Sequence, residues 1–408
     1  MIIKEYIKNF EKLGFGMFVH FGLYSLYAKG EWALRLNSDP EEYKKLFDAF
    51  DPDAGWAENL VLTAKRAGCK YITLTTRHHD GFSLYDTCGL SDYDAPHSAA
   101  GRDLVKEFVD ACNKHEIMPF FYHTLLDWHE KSYTENFSEY LKYLRASVEI
   151  LCKNYGKIGG LWFDGSWDKK SVNWEEDELY SLIRSYQPEA MIINNTGLSA
   201  RGELGHIELD SVTFERGRPK AINLECSPKY IASEMCQIFA NHWGYSKRDF
   251  NFKSLAEIIG DLCVCRRYGA NLLLNVGPMG NGQIRSLDRA MLETLGEWVD
   301  IYSEALYLPR PTGIEVENKA KNFILKGDSC YYFFAHDLAM EGSVNVELAK
   351  NMPEHKNVFE FPRKIKSIKW LDNGKSLEFH QDGNRVTLIT TPQLYGENLV
   401  VKIAKIEI

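Results

Sequence analysis

Gly159-Gly160-Leu161-Trp162-Phe163-Asp164-Gly165 is an apolar run that stops abruptly at a carboxylate and a glycine. A buried β-strand whose last side chain is an aspartate, followed by a residue free to take positive φ, delivers a negative charge to the rim of a sheet. In parallel barrels that rim is where catalytic residues stand. A strand-terminal Asp-Gly also serves as a simple cap or turn, so the stretch takes its meaning from what ends the neighbouring runs.

Up to Leu306 the chain alternates short apolar, β-branched or aromatic runs with amphipathic segments. The strand-like runs are Gly16–Phe21, Tyr71–Thr76, Met118–Leu125, Ile158–Phe163, Met191–Asn194, Ser211–Phe214 and Asn271–Val276. Helical spacing of apolar residues marks Trp56–Ala67, Arg102–Glu116, Phe137–Asn154, Glu175–Tyr186, Ser254–Tyr268 and Leu287–Leu306. This alternation predicts an α/β fold of parallel strands joined by right-handed crossovers. About seven visible units favour a closed (β/α)8-like TIM barrel over an open doubly wound sheet. No Gly-x-Gly-x-x-Gly opens the first unit, which counts against a dinucleotide fold. Between Pro219 and Asn251 no period is legible.

After Pro309-Arg310-Pro311-Thr312-Gly313 the pattern changes to short alternating runs, Cys330–Ala335, Ser343–Leu348, Ile365–Trp370, Val386–Thr390 and Leu399–Ile406. Turns such as Asp372-Asn373-Gly374 and Asp382-Gly383-Asn384 separate them. The expected organisation is a catalytic barrel over residues 1–308 and a C-terminal antiparallel β-sandwich over 309–408.

Composition narrows the function classes. Of the 408 residues 45% are apolar and 13% aromatic, so there is ample core and a surplus of side chains suited to sugar faces. A formal charge of −9 with scattered Lys and Arg argues against a nucleic-acid partner. No apolar run reaches the roughly 20 residues a membrane span needs, and Met1-Ile2-Ile3-Lys4-Glu5-Tyr6-Ile7-Lys8 lacks the apolar core of a secretory leader. Nine cysteines, an odd number without zinc-type spacing, suit reduced thiols in a cytoplasm.

The barrel runs end in polar, sugar-compatible residues: Val19-His20-Phe21-Gly22, Arg77-His78-His79-Asp80-Gly81-Phe82, Tyr122-His123 with Asp127-Trp128-His129, and Trp162 with Asp164. One strand-end histidine is as readily a satisfied core residue; four such ends together make a site. A hydrolytic metal usually needs His-x-His on one strand face, whereas adjacent His78 and His79 are expected to project to opposite faces while the strand persists, so no metal or other cofactor is expected. The remaining chemistry is glycoside hydrolysis by two carboxyl groups, with neutral imidazoles and indoles holding the sugar.

The chain resembles the retaining α-L-fucosidases, a family with a (β/α)8-like barrel followed by a β-sandwich. The resemblance rests on Phe15-Gly16-Met17-Phe18-Val19-His20-Phe21-Gly22-Leu23-Tyr24-Ser25, Gly30-Glu31-Trp32, His78-His79-Asp80-Gly81-Phe82, Trp162-Phe163-Asp164-Gly165, Trp243-Gly244-Tyr245 and Asn271-Leu272-Leu273-Leu274-Asn275-Val276-Gly277-Pro278. It implies that Asp164 is the nucleophile of a double displacement on terminal α-L-fucosyl groups. It also implies that His20, Glu31, Trp32, His78, His79, Tyr122 and Trp162 line the fucose pocket. For the acid/base it points to Glu215, in Thr213-Phe214-Glu215-Arg216-Gly217, with Glu234, in Ala232-Ser233-Glu234-Met235-Cys236, as the other candidate.

One departure stands out. Some members carry an arginine just after the fifth strand, where this chain reads Asn194-Asn195-Thr196-Gly197, and Arg216 is available from the next loop. The expected partner is a fucosylated oligosaccharide or glycoside; linkage preference and oligomeric state are not encoded legibly. The rival readings are a hydrolase of another 6-deoxy or galacto-configured sugar and a carbohydrate-binding protein with a degenerate pocket.

Overall fold

The structure is a computed structural model, and it describes residues 3–36, 38–222, 224, 227–317, 319–341 and 355–408. Contacts divide the chain into two compact units, Met1–Lys253 with Ala270–Glu293, and Ser254–Gly269 with Thr294–Ile408.

The first unit is built on a closed barrel of eight parallel strands in sequential order: β1 (Phe15–Val19), β2 (Tyr71–Arg77), β3 (Met118–Thr124), β4 (Gly160–Asp164), β5 (Met191–Asn194), β6 (Ser211–Thr213), β7 (Ala232–Ile238) and β8 (Asn271–Val276). Strand β8 closes the ring on β1, pairing Phe15 with Leu272 through Val19 with Val276. Almost every strand residue is buried, as expected where one face fills the barrel and the other lies under helices.

Side-chain parity decides what each strand offers. In β4, Trp162 faces the barrel interior, where it joins Phe18, Tyr71, Phe120, Tyr122, Met191, Ile193 and Leu273 in one apolar cluster. Phe163 faces outward, 6.2 Å from Tyr180 of the helix Glu176–Tyr186. Gly160 leaves room for this filling, because a Cβ there would stand 2.6 Å from the Met191 carbonyl oxygen and 2.8 Å from the Phe120 ring. Asp164 continues the Trp162 column and emerges above it. Helix Glu5–Leu13 places Ile7 and Phe10 in the same cluster, with Phe10 5.9 Å from Tyr71.

The eighth strand, β7, lies in the region where the sequence shows no period. Its inward positions include Ala232 and Cys236, which join the interior cluster, and its interior carboxylate, Glu234, breaks the apolar pattern. The six expected helices are all present, at Trp56–Arg66, Leu104–His115, Phe137–Asn154, Glu176–Tyr186, Leu255–Arg267 and Ser286–Leu306.

The second unit carries two antiparallel sheets. With β9 (Arg310–Glu315), β10 (Phe323–Lys326), β11 (Cys330–His336), β12 (His355–Glu360), β13 (Ser367–Trp370), β14 (Glu378–Asp382), β15 (Arg385–Thr390) and β16 (Val401–Glu407), one sheet runs β13-β16-β11-β10-β9 and the other β12-β15-β14. Phe333, Ile368, Trp370 and Ile406 from the first sheet and Phe359, Val386 and Leu388 from the second share one core. The expected run Ser343–Leu348 lies outside the described residues. No helix among the described residues is long and apolar enough to cross a membrane.

Candidate active site

The carboxyl ends of the barrel strands enclose a cavity of about 530 Å³ lined by Phe18, His20, Glu31, Trp32, His78, His79, Tyr122, Trp162, Asp164, Trp167, Asn195, Glu215, Arg216, Cys236 and Trp243, among others. Asp164, Glu215 and the seven expected pocket residues all line it, whereas Glu234, the other acid/base candidate, does not. Trp167 and Asn195 also line the cavity, although no motif in the sequence marks Trp167 and Asn195 stands out there only where some members have an arginine. Trp167 follows Asp164 by one short helical turn, and Asn195 ends a strand-like run as half of a polar doublet; those were the available signals.

Asp164 is surrounded by donors. Its Oδ1 accepts from Trp167 Nε1 at 2.9 Å and from Asn195 Nδ2 at 3.2 Å. Its Oδ2 accepts from Tyr122 Oη at 3.2 Å and stands 3.5 Å from His79 Nε2. Burial alone would raise its pKa, but the His79 ring and the Trp167 and Asn195 hydrogen bonds outweigh it and hold the carboxyl below its ordinary value.

Glu215 sits on the loop after β6. Burial and the neighbouring Asp164 charge push its pKa up, while the Asn195 hydrogen bond opposes them. Asn195 Nδ2 donates to Glu215 Oε2 at 2.8 Å as well as to Asp164. One nitrogen lies 3.2 Å from the first oxygen and 2.8 Å from the second, so these two oxygens are at most 6.0 Å apart, the sum of the two distances.

Glu234 stands below the cavity, in the barrel interior. Tyr71 Oη donates to its Oε2 and Trp162 Nε1 to its Oε1, the latter at 2.9 Å, and the carboxylate does not line the pocket. It fastens the pocket-lining Trp162 from beneath.

The histidines are set by their partners. Asn275 Nδ2 donates to the Trp243 carbonyl at 2.7 Å, so its Oδ1 faces His20 and accepts from Nδ1 at 2.7 Å. Burial lowers the His20 pKa to about 3, which keeps the ring neutral with Nε2 as an acceptor. His78 and His79 do not diverge as expected: the strand ends at Arg77, the chain turns with Gly81 N–H donating to the His78 carbonyl, and the two rings lie 4.2 Å apart on the cavity wall. His78 Nδ1 is buried without a protein partner, and burial pushes this ring's pKa well down.

Glu31 Oε2 accepts from the backbone N–H groups of Trp243, at 3.0 Å, and Gly244, at 2.8 Å; burial raises its pKa. Trp243 stacks on His20 at 5.2 Å, Tyr122 on Trp162 at 5.7 Å, and Trp167 on Trp32 at 5.9 Å. Other strand-end residues serve the framework. Asp80 accepts from Tyr43 Oη, Asp127 caps the N–H groups of His129 and Glu130, and His123 faces away from the cavity toward Tyr85. Among the described residues no group of three or more His, Cys, Asp or Glu is arranged to hold a metal ion.

Comparison with known proteins bears on the whole arrangement. The family model described as α-L-fucosidase matches residues 3–304. Tissue α-L-fucosidase of Macaca fascicularis is 27% identical over 360 residues, covering 80% of this chain and 75% of that protein. The Rattus norvegicus tissue enzyme is 27% identical over 423 residues, covering 94% and 86%. The solved structure of α-L-fucosidase isoenzyme 1 from Paenibacillus thiaminolyticus superposes with a TM-score of 0.82 at 27% identity, over 99% of this chain and 98% of that one. The family match spans all eight barrel strands and every residue named in the cavity, and the chain belongs to the α-L-fucosidase family.

Proposed function

We infer that this chain is an exo-acting α-L-fucosidase that releases terminal α-L-fucosyl groups from glycans or glycosides with retention of configuration. The observation that carries this reading is the shared amide: Asn195 Nδ2 bonds both Asp164 and Glu215. The bound of 6.0 Å between their nearest oxygens suits the roughly 5 to 5.5 Å of retaining glycosidases better than the roughly 6.5 to 9.5 Å that inversion requires. The opposed pKa directions of the pair suit a division of labour, the ionised form being favoured at Asp164 and the protonated form at Glu215.

In the first step a carboxylate oxygen of Asp164 bonds to C1 as the C1–O glycosidic bond breaks and Glu215 gives its proton to the departing oxygen. In the second, water loses a proton to Glu215 as its oxygen attacks C1 and releases Asp164. Two inversions at C1 restore the α configuration. His20, with Nε2 open as an acceptor, and His78, His79 and Glu31 are suited to sugar hydroxyls. Trp162 and Trp243 supply apolar faces, with Trp32 and Tyr122 completing the wall. The reading assigns catalysis to residues 1–308 and leaves 309–408 as a packing β-sandwich. The eight described cysteines, seven of them buried, suit a reducing compartment such as the cytoplasm.

The test is chemical rescue. Asp164→Ala abolishes turnover of aryl α-L-fucosides, and added azide restores it with β-fucosyl azide as product. Absence of rescue by any small nucleophile removes Asp164 from its role. Parallel assays on nitrophenyl fucoside and galactoside separate this reading from a hydrolase of another galacto-configured sugar, which prefers the second substrate.

A further inference from the structure

The Asn195 side chain uses all of its hydrogen-bonding capacity. The Asn195 backbone N–H donates to the Phe163 carbonyl at 2.8 Å, extending the β4–β5 pairing by one residue. Asn194 turns outward, with Nδ2 3.2 Å from Tyr180 Oη, and Asn195 turns into the cavity, where it is buried. Its two amide hydrogens are given to Asp164 and Glu215. Its Oδ1 accepts from Thr213 Oγ1 at 3.0 Å and Gly197 N–H at 3.2 Å. The Gly197 N–H can only donate, so the carbonyl end must face it and the NH2 end must face the carboxylates.

We propose that Asn195 is a positioning residue that ties the acid/base to the nucleophile and places the transferable proton on Glu215 Oε1. This rests on the reading of Asp164 as nucleophile and Glu215 as acid/base. An N–H already directed at Oε2 repels a second hydrogen there, so a protonated Glu215 keeps Oε2 as an acceptor and carries its proton on the other oxygen. The same bond fixes the carboxyl rotor. In the glycosylation step the Oε1–H bond breaks as the proton passes to the glycosidic oxygen; in deglycosylation Oε1 receives the proton of the attacking water. Asn195 gains and loses nothing in either step.

Asn195→Ala frees the Glu215 carboxyl to rotate, and the loss falls on substrates that need the proton. Across aryl α-L-fucosides of graded leaving-group pKa, kcat/KM is expected to fall about 10²-fold for the most basic leaving group, the scale of general acid catalysis, and by less than about threefold for the most acidic. Both limbs of the kcat/KM pH profile move upward, because each carboxylate loses a donor that favoured its ionised form. Thr213→Val, which removes only the hydroxyl that holds Oδ1, moves the same quantities in the same direction by a smaller factor; it decides the matter if Asn195→Ala fails to fold. Equal losses across the series, or an unchanged leaving-group dependence with unmoved limbs, overturns the proposal. Azide rescue of Asp164→Ala, run alongside, separates the outcomes. Rescue with a uniform Asn195→Ala loss removes only the role of Asn195, whereas failed rescue removes the nucleophile assignment itself.

Discussion

Glu215 follows a short strand-like run and Glu234 lies where no period is legible, so the sequence leaves both as candidates, and their surroundings separate them. Glu215 opens on the cavity beside Asp164, while Glu234 is enclosed by Tyr71 and Trp162. The Asp164 pKa is held below its ordinary value and that of Glu215 above, so kcat/KM should be bell-shaped, with its acid limb below and its alkaline limb above the usual carboxylate range. Glu215→Ala should remove the alkaline limb and spare substrates with good leaving groups; a surviving limb would assign it to another residue. Glu234 makes a different prediction. Burial raises its pKa from 4.5 to about 7, so the native state keeps the proton longer than the unfolded one does. Its contribution to stability is therefore full below the unfolded value and is lost as pH rises toward about 7. At 1.36 kcal/mol per pKa unit, Glu234→Gln should gain about 3 kcal/mol on wild type between about pH 5 and pH 8. Denaturant titrations at the two pH values check this, and a constant difference would rule it out. The type and place of Asp164, His20 and Trp162 were legible because each ends a recognisable run. The assignment between the two glutamates was not, because a carboxyl's pKa is set by neighbours distant in sequence.

At the level of the element, the turn after β4 is tightly held. Gly165 adopts φ +102°, and a Cβ there would stand 2.7 Å from Leu126 Cβ and 2.8 Å from Leu126 N. Leu125 N–H donates to the Asp164 carbonyl at 2.6 Å, so the β3 and β4 ends are pinned together at this point. Gly165→Ala therefore carries about 1–3 kcal/mol of strain and shifts the Asp164 carboxylate. The expected result is a folded protein whose kcat/KM is lower by about 10²-fold, the effect of a displacement near 1 Å. Thermal melts and fucoside kinetics on the same sample check both halves, and wild-type kinetics would show that the close approach does not constrain the site. Seven barrel strands are readable as apolar runs. Strand β7 is not, because its interior position 234 carries a carboxylate whose partners, Tyr71 and Trp162, come from β2 and β4. An unpaired glutamate would be intolerable there, and only the closed ring supplies its donors.

Across the whole molecule, the eight described cysteines comprise one exposed thiol, Cys88, and seven buried ones. Burial pushes the Cys69, Cys112 and Cys263 thiols up, so a thiol reagent should label Cys88 in the native protein and those three only after unfolding. Peptide mapping by mass spectrometry reads this directly, and fast native labelling of Cys263 would contradict the burial described. Reductant should leave the melting temperature unchanged, since no disulfide joins the described residues. The amino-acid sequence by itself determined the alternating barrel, the change to antiparallel strands after Pro309 and the aspartate at the rim, because periodicity and strand ends are local properties. Only the tertiary structure decided where the remaining strand β7 lies, that His78 and His79 share a wall, and that Asn195 joins two carboxylates. Those outcomes depend on which side chains meet across the barrel, and contacts between residues so far apart in the chain exist only once the ring is formed.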